Sequence, residues 1–167
     1  NSEKCYSYFS NNYFGQNKGE KGGVIYQHSG KSRLNMNNNI FYQNQAREGS
    51  VLNTNAHANL FNNQFIKNLA INGGCIFTEP GSDLLVNLNY FKENSATENG
   101  GVIKINSRKI NVLFNQFIQN TAHRGSTIYF SEIPCQNCSK NTTILYKNYF
   151  FNNIATLDGT VYLSRNS

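Results

Sequence analysis

The chain has no Trp, one Met and two Pro, and only two of its nine acidic residues are Asp. Charged residues make up 14% of the 167 positions. With so little acid, a calcium cage or a cluster of convergent carboxylates has few residues to draw on. No apolar run approaches the length a membrane helix needs, so no helical span is expected within this stretch. Plain disorder is excluded as well, because 38% of the residues are hydrophobic and 13% aromatic, enough for the core of one domain. The formal charge is +6, but the basic residues are scattered and only Arg108 and Lys109 are adjacent. A phosphate-binding face would cluster them, so nucleic acid is not an expected partner. The chain opens on Asn1 with no initiator Met, as expected of a processed chain or a segment of a longer one.

What the chain has in excess is Asn, 30 of 167 residues. These follow a repeat. NYFGQNKGEKGGVI from Asn12 returns from Asn39, Asn63, Asn89, Asn115 and Asn148, at spacings of 27, 24, 26, 26 and 33 residues. Two residues after the first Asn stands Phe14, Phe41, Phe65, Phe91, Phe117 or Phe150. Five residues after it stands Asn17, Asn44, Asn68, Asn94, Asn120 or Asn153. A small residue follows two further on: Gly19, then Ala46, Ala70, Ala96, Ala122 and Ala155. Next come a Gly-containing pair and a short β-branched stretch such as Val24-Ile25. Upstream, Phe9, Met36, Leu60, Val86, Val112 and Leu145 form an apolar column, and Leu34, Ala58, Leu84 and Ile110 lie two residues before it. A spacing of two is strand periodicity.

Helical repeats are too long for this period, and the Leu-x-x-Leu-x-Leu pattern of leucine-rich repeats is absent. A unit of 24 to 27 residues with strands between Asn and Gly turns describes one coil of a parallel β-helix. The expected fold is all-β: a right-handed β-solenoid of about six coils with three short strands each, as a single domain over residues 1–167. Right-handedness follows the crossover rule. Each column stacks on itself about every 4.8 Å, Phe ring over Phe ring, and Asn over Asn passing amide hydrogen bonds along turns that tolerate left-handed backbone.

The pairing of Phe-x-x-Asn with Gly-Gly-x-Ile resembles the tandem repeat of polymorphic outer membrane proteins and related autotransporter passengers, on pectin-lyase-like right-handed β-helices. Phe-x-x-Asn is intact in all six copies. Gly-Gly-x-Ile is kept at Gly22–Ile25, Gly73–Ile76 and Gly100–Ile103 and degrades to Gly49-Ser50, Gly125-Ser126 and Gly159-Thr160 elsewhere. The family's Ala after Gly-Gly is replaced by Val, Cys or Thr. The resemblance implies a surface-exposed or secreted adhesive role.

The longest spacing carries an insertion, 133–141, expected to project sideways. It holds Cys135 and Cys138, which could form a redox motif, half a zinc site or a local disulfide; no helix follows to lower a thiol pKa, and His28, His57 and His123 lie in different coils. The disulfide is the reading adopted. Cys5 and Cys75 lie more than two coils apart, beyond disulfide reach, so they are free or Cys5 is bonded elsewhere. Sequons at Asn137 and Asn141, in the same loop, point to a secretory history, with Asn141 the better acceptor.

Catalytic and cofactor signals are lacking: there is no Asp-x-Asp, phosphate loop, nucleophile elbow or metal-spaced His pair. Glu48 and Glu98, with Arg47 and Arg124, read as residues of a hydrated turn edge, and His57 and His123 as solvated. The expected function is therefore non-enzymatic, with no cofactor: an extracellular or cell-surface structural or adhesive solenoid. Its ends are complementary in phase, since joining Ser167 to another Asn1 sets the next motif 31 residues on. The expected partners are further coils of a parent chain or another copy of itself. The alternative is a carbohydrate-binding module or polysaccharide-active enzyme, with Tyr26, Phe77 and Tyr129 as a stacking platform if they point outward and as core if they do not.

Overall fold

The computed structural model describes residues 5–107, 109–131 and 142–164. The chain winds as a parallel β-solenoid with four six-stranded sheets along its length and one strand per coil in each. Sheet A comprises Tyr6–Ser10, Arg33–Asn37, His57–Phe61, Asp83–Asn87, Lys109–Leu113 and Thr142–Tyr146. Sheet B comprises Tyr13–Gly15, Ile40–Tyr42, Gln64–Ile66, Tyr90–Lys92, Gln116–Ile118 and Tyr149–Phe151. Sheet C comprises Lys18–Lys21, Gln45–Glu48, Leu69–Asn72, Ser95–Asn99, Thr121–Ala122 and Ile154–Ala155. Sheet D comprises Ile25–Gln27, Leu52–Thr54, Ile76–Thr78, Ile103–Ile105, Ile128–Phe130 and Val161–Leu163.

Each coil thus holds four strands rather than the expected three. The additional one is sheet C, whose sequences (Lys-Gly-Glu-Lys, Gln-Ala-Arg-Glu) read as polar turns. Only the small residue of each points inward, Gly19 pairing with Ala46, Ala46 with Ala70, Ala70 with Ala96 and Ala122 with Ala155. The strand is held by its neighbours' ladder rather than by β-propensity, which is why propensity does not reveal it.

Registers follow the sequence columns. Phe9 pairs with Met36, Met36 with Leu60, Leu60 with Val86 and Val86 with Val112. The inward Phe column of sheet B stacks with ring centroids 4.6–5.2 Å apart and interplanar angles of 5–18°. Phe41, Phe65, Phe91 and Phe117 are fully buried. With Leu34, Leu60, Ile76, Val86, Ile103 and Ile110 they form one continuous core. A Phe pointing in at every coil fills the tube without gaps, because its neighbours above and below have the same shape.

The corners between sheets A and B and between B and C turn on a left-handed residue followed by a buried Asn. The left-handed positions are Asn11, Asn38, Asn62, Leu88, Phe114 and Lys147 at the first corner, and Gln16, Gln43, Lys67, Glu93, Gln119 and Asn152 at the second, with φ of 51–59°. The expectation that the ladder Asn itself adopts left-handed backbone is corrected: the residue before it does. At the corner between C and D the left-handed residue is Gly22, Gly49, Gly73, Gly100 or Gly125. There a Cβ on Gly73 would sit 2.2 Å from the Ile76 carbonyl oxygen, so glycine is demanded by space as well as by φ.

Candidate functional site: the asparagine ladders and the sheet D face

The interior polar groups are organised as two ladders. In the anticipated one, Asn94 accepts at Oδ1 from the Asn68 main-chain N–H (2.9 Å) and Asn68 Nδ2 (3.0 Å). Its own N–H and Nδ2 donate to Asn120 Oδ1 at 2.9 and 3.0 Å, and Nδ2 also donates to the Phe65 carbonyl at 2.8 Å. The pattern runs from Asn17 through Asn44, Asn68, Asn94 and Asn120 to Asn153. Each buried amide is saturated, and each turn's orphan backbone groups find partners on the neighbouring coil.

Sequence reasoning used the first Asn of the repeat only as an anchor and missed that it forms a second ladder. Asn12, Asn39, Asn63, Asn89, Asn115 and Asn148 repeat the same bonds, with Nδ2 also reaching the carbonyls of Phe9, Met36, Leu60, Val86 and Val112. Its invariance in all six copies was the available signal.

The Asn-to-Asn bonds of both ladders share one direction, each N–H and Nδ2 donating to the Oδ1 of the following coil, while the second Nδ2 hydrogen of the mid-stack residues goes back to a main-chain carbonyl of the preceding coil. At the first described coil, the Oδ1 atoms of Asn12 and Asn17 have no donor from a preceding coil among the described residues. At the last, the main-chain N–H and one side-chain N–H of Asn148 and Asn153 face no following Oδ1 among the described residues. The core columns open at the same ends. Leu145 and Phe150 are 39% and 37% exposed, whereas their mid-stack equivalents Val86 and Phe91 are fully buried.

On the outside of sheet D, Tyr26, Asn53, Phe77, Lys104, Tyr129 and Tyr162 stand in register. Of the two placements open for Tyr26, Phe77 and Tyr129 the outward one holds, since the residues flanking them, such as Ile25, Ile76 and Ile128, take the inward positions. They form no continuous platform, however. Lys104 Nζ lies between the rings of Phe77 and Tyr129, 5.6 and 5.8 Å from their centroids, and donates to Asn72 Oδ1. Phe77 is only 8% exposed. Burial holds the Lys104 ammonium below its ordinary pKa of 10.5, partly offset by Glu98 and Glu48. Asn53 is fully buried in this column, donating to Glu48 while its Oδ1 has no partner.

Of the nine acids, Glu3 and Glu132 lie outside the described residues, and each of the other seven is engaged. Glu48 and Glu79 share Lys21 (3.5 and 2.9 Å), Glu20 meets Arg47, Glu93 meets Lys67 and Lys92, and Asp158 meets Arg124. Glu98 accepts from Asn72. Glu48 and Glu98 both lie on sheet C, where Asn99 next to Glu98 forms a β-bridge with Arg124, and their side-chain partners are Lys21 for the first and an amide for the second. Asp83 is bridged by His57 (3.1 Å) and Lys109 (2.7 Å). Desolvation pushes its carboxyl up, but the hydrogen bonds from Lys109 and His57 outweigh this and hold it below its ordinary value. His57, expected to be solvated, is therefore half-buried and paired. His123 is exposed, with Nδ1 2.8 Å from Thr156 Oγ1. No group of three or more His, Cys, Asp or Glu among the described residues is placed to hold a metal ion.

Cys5 is an exposed free thiol and Cys75 a buried one, whose pKa burial raises well above the ordinary value. The proposed disulfide of Cys135 and Cys138, the sequons at Asn137 and Asn141 and the whole insertion 133–141 lie outside the described residues. No family model matches this chain, and no curated protein or solved structure shows significant similarity to it.

Proposed function

We propose that this chain is a non-enzymatic structural rod, continued along its axis by further coils of the same repeat, and that it serves at the cell surface or outside the cell as a structural or adhesive element. The observation that carries the reading is the one-way direction of both Asn ladders. A following coil would bring Oδ1 acceptors to the Asn148 and Asn153 donors that meet none among the described residues, and a preceding coil would bring donors to Asn12 and Asn17. The same coil would cover Leu145 and Phe150, which are core residues in every respect but their position at the end of the stack. Because the two ends differ in hydrogen-bonding sense, they are matched head to tail and mismatched head to head, which favours open, polar association.

The engagement of the seven carboxylates supports a role without chemistry, since a hydrolytic or eliminating site needs a free acid or a cation-binding cluster. The cell-surface assignment rests on the motif resemblance to polymorphic outer membrane repeats and on the sequons at Asn137 and Asn141.

The test is sedimentation velocity over a wide concentration range, with negative-stain microscopy of the same samples. Rods lengthening with concentration are expected for the native chain, and loss of that growth for Phe150→Asp, which charges the open end; because Phe150 stacks on Phe117 at 5.0 Å, the variant is compared only where thermal unfolding shows it folded. Single-length rods at every concentration would overturn the axial reading for this chain.

A further inference from the structure

At the corner between sheets A and B the left-handed position is Asn11, Asn38 and Asn62 in the first three coils, then Leu88 and Phe114. Asn suits this site on two counts. Its side chain tolerates left-handed backbone, and on the exposed edge it passes a hydrogen bond, Asn62 Nδ2 to Asn38 Oδ1 at 2.7 Å. Leu88 and Phe114 have neither advantage. Each is strained at φ of 56° and 55°, and each leaves close to half of a large apolar side chain in water. Phe114 meets Tyr146 edge-on at 5.5 Å and Lys147 Nζ at 5.8 Å from its ring centroid, contacts that Asn would not make, yet it and Leu88 still expose apolar surface at adjacent steps of one edge.

Between and beside them runs an open groove of about 470 Å³, lined by Asn62, Gln64, Leu88, Tyr90, Phe114 and Gln116, with the ladder residues Asn63 and Asn89 at its base. Gln64, Tyr90 and Gln116 are outward and in register on sheet B, so a chain laid along the axis meets amide, phenol and amide at successive coils. None of the lining residues is charged, in a protein of net charge +6. Carboxamides and a phenol both donate and accept, which matches hydroxyl groups, and the Phe114 ring and Leu88 offer an apolar surface for the C–H face of a sugar. The lining holds no charged residue, although Lys147 Nζ lies 5.8 Å from the Phe114 centroid, so an anionic probe belongs in the test; a purely apolar ligand would leave the amides of Gln64 and Gln116 unpaired.

We infer that this edge is a binding site for a neutral saccharide chain, lying along the axis with Phe114 as its stacking residue and Gln64, Tyr90 and Gln116 as its hydrogen-bonding residues. The site is lateral and does not depend on how the ends of the rod are covered.

The test is isothermal titration calorimetry of the full chain with cellohexaose, mannohexaose and chitohexaose, with oligogalacturonate as the anionic control, alongside thermal unfolding of each variant. The expected result is saturable binding of at least one neutral probe, weakened at least about tenfold by Phe114→Asn. The same substitution is expected to hold or raise the unfolding midpoint, because Asn fits the left-handed site. The pair Gln64→Ala and Gln116→Ala, both exposed, is expected to weaken binding with the midpoint unchanged, and serves if Phe114→Asn does not fold. Absence of binding by every neutral probe, binding of oligogalacturonate alone, or neutral binding indifferent to all these substitutions would overturn the assignment.

Discussion

Replacing Asn94 by Ala isolates what a single ladder residue contributes. Sequence alone values it at about 1–3 kcal/mol, the cost of one unsatisfied turn amide. The structure raises that figure. Without the side chain, the main-chain N–H of Asn68 and one hydrogen of its Nδ2 lose their shared acceptor, and the Phe65 carbonyl loses a donor. All three lie in the buried interior, where an orphaned group costs about 1–3 kcal/mol. A water entering the vacated volume would recover part of this. The expected loss is therefore about 3–5 kcal/mol, comparable with removing a core aromatic. The assay is urea unfolding followed by far-ultraviolet circular dichroism on Asn94→Ala, Asn68→Ala and the double variant. Because the two residues share bonds, the double variant should lose clearly less than the sum of the singles. A single-variant loss below about 1 kcal/mol, or strict additivity, would refute the claim that the amides form a coupled buried chain.

Phe91→Ala should cost about 3–5 kcal/mol by the same assay, since the ring is fully buried between Phe65 and Phe117 at 4.6 and 4.9 Å. Gly74→Ala should prevent native folding or lower the thermal midpoint steeply, because its Cβ would meet the Gly101 carbonyl oxygen at 2.0 Å; soluble yield and calorimetry would show it. Asp83→Asn should destabilise the protein at neutral pH. A carboxyl whose folded pKa is depressed stabilises above its unfolded value and loses that effect as pH falls through the folded one. The gap between Asp83→Asn and the native chain should accordingly close on acidification below the ordinary 3.8, as followed by unfolding at stepped pH.

The inward columns were legible because stacking makes each coil choose the same residue at the same place. Phe91 and Asn94 announce themselves through five other copies of each. What repetition cannot show is the role of positions whose identity varies. Sheet C escaped notice because its outward residues range from Lys18 and Glu20 to Leu69 and Ile71, and its single inward residue is too small to mark a strand. The left-handed positions escaped for the same reason, Gln16, Lys67 and Glu93 having little in common beyond their backbone. In the sequence the sheet D column is open between the core and an outward platform, because it is aromatic at Tyr26, Phe77 and Tyr129 and polar at Asn53 and Lys104. In the structure Phe77 points outward yet stays buried, with Lys104 Nζ 5.6 Å from its ring centroid. Acid pairing depends on which coils lie next to each other, so Lys21 with Glu48 and Asp83 with His57 and Lys109 become visible only once the register is fixed.

The most direct test is a nuclear Overhauser measurement on the folded protein with isotopically labelled Phe. In-register coils require ring-to-ring contacts from Phe65 to Phe91 and from Phe91 to Phe117, residues 26 apart in sequence. Those cross-peaks are the predicted result, and their absence in a folded, concentrated sample would contradict the account.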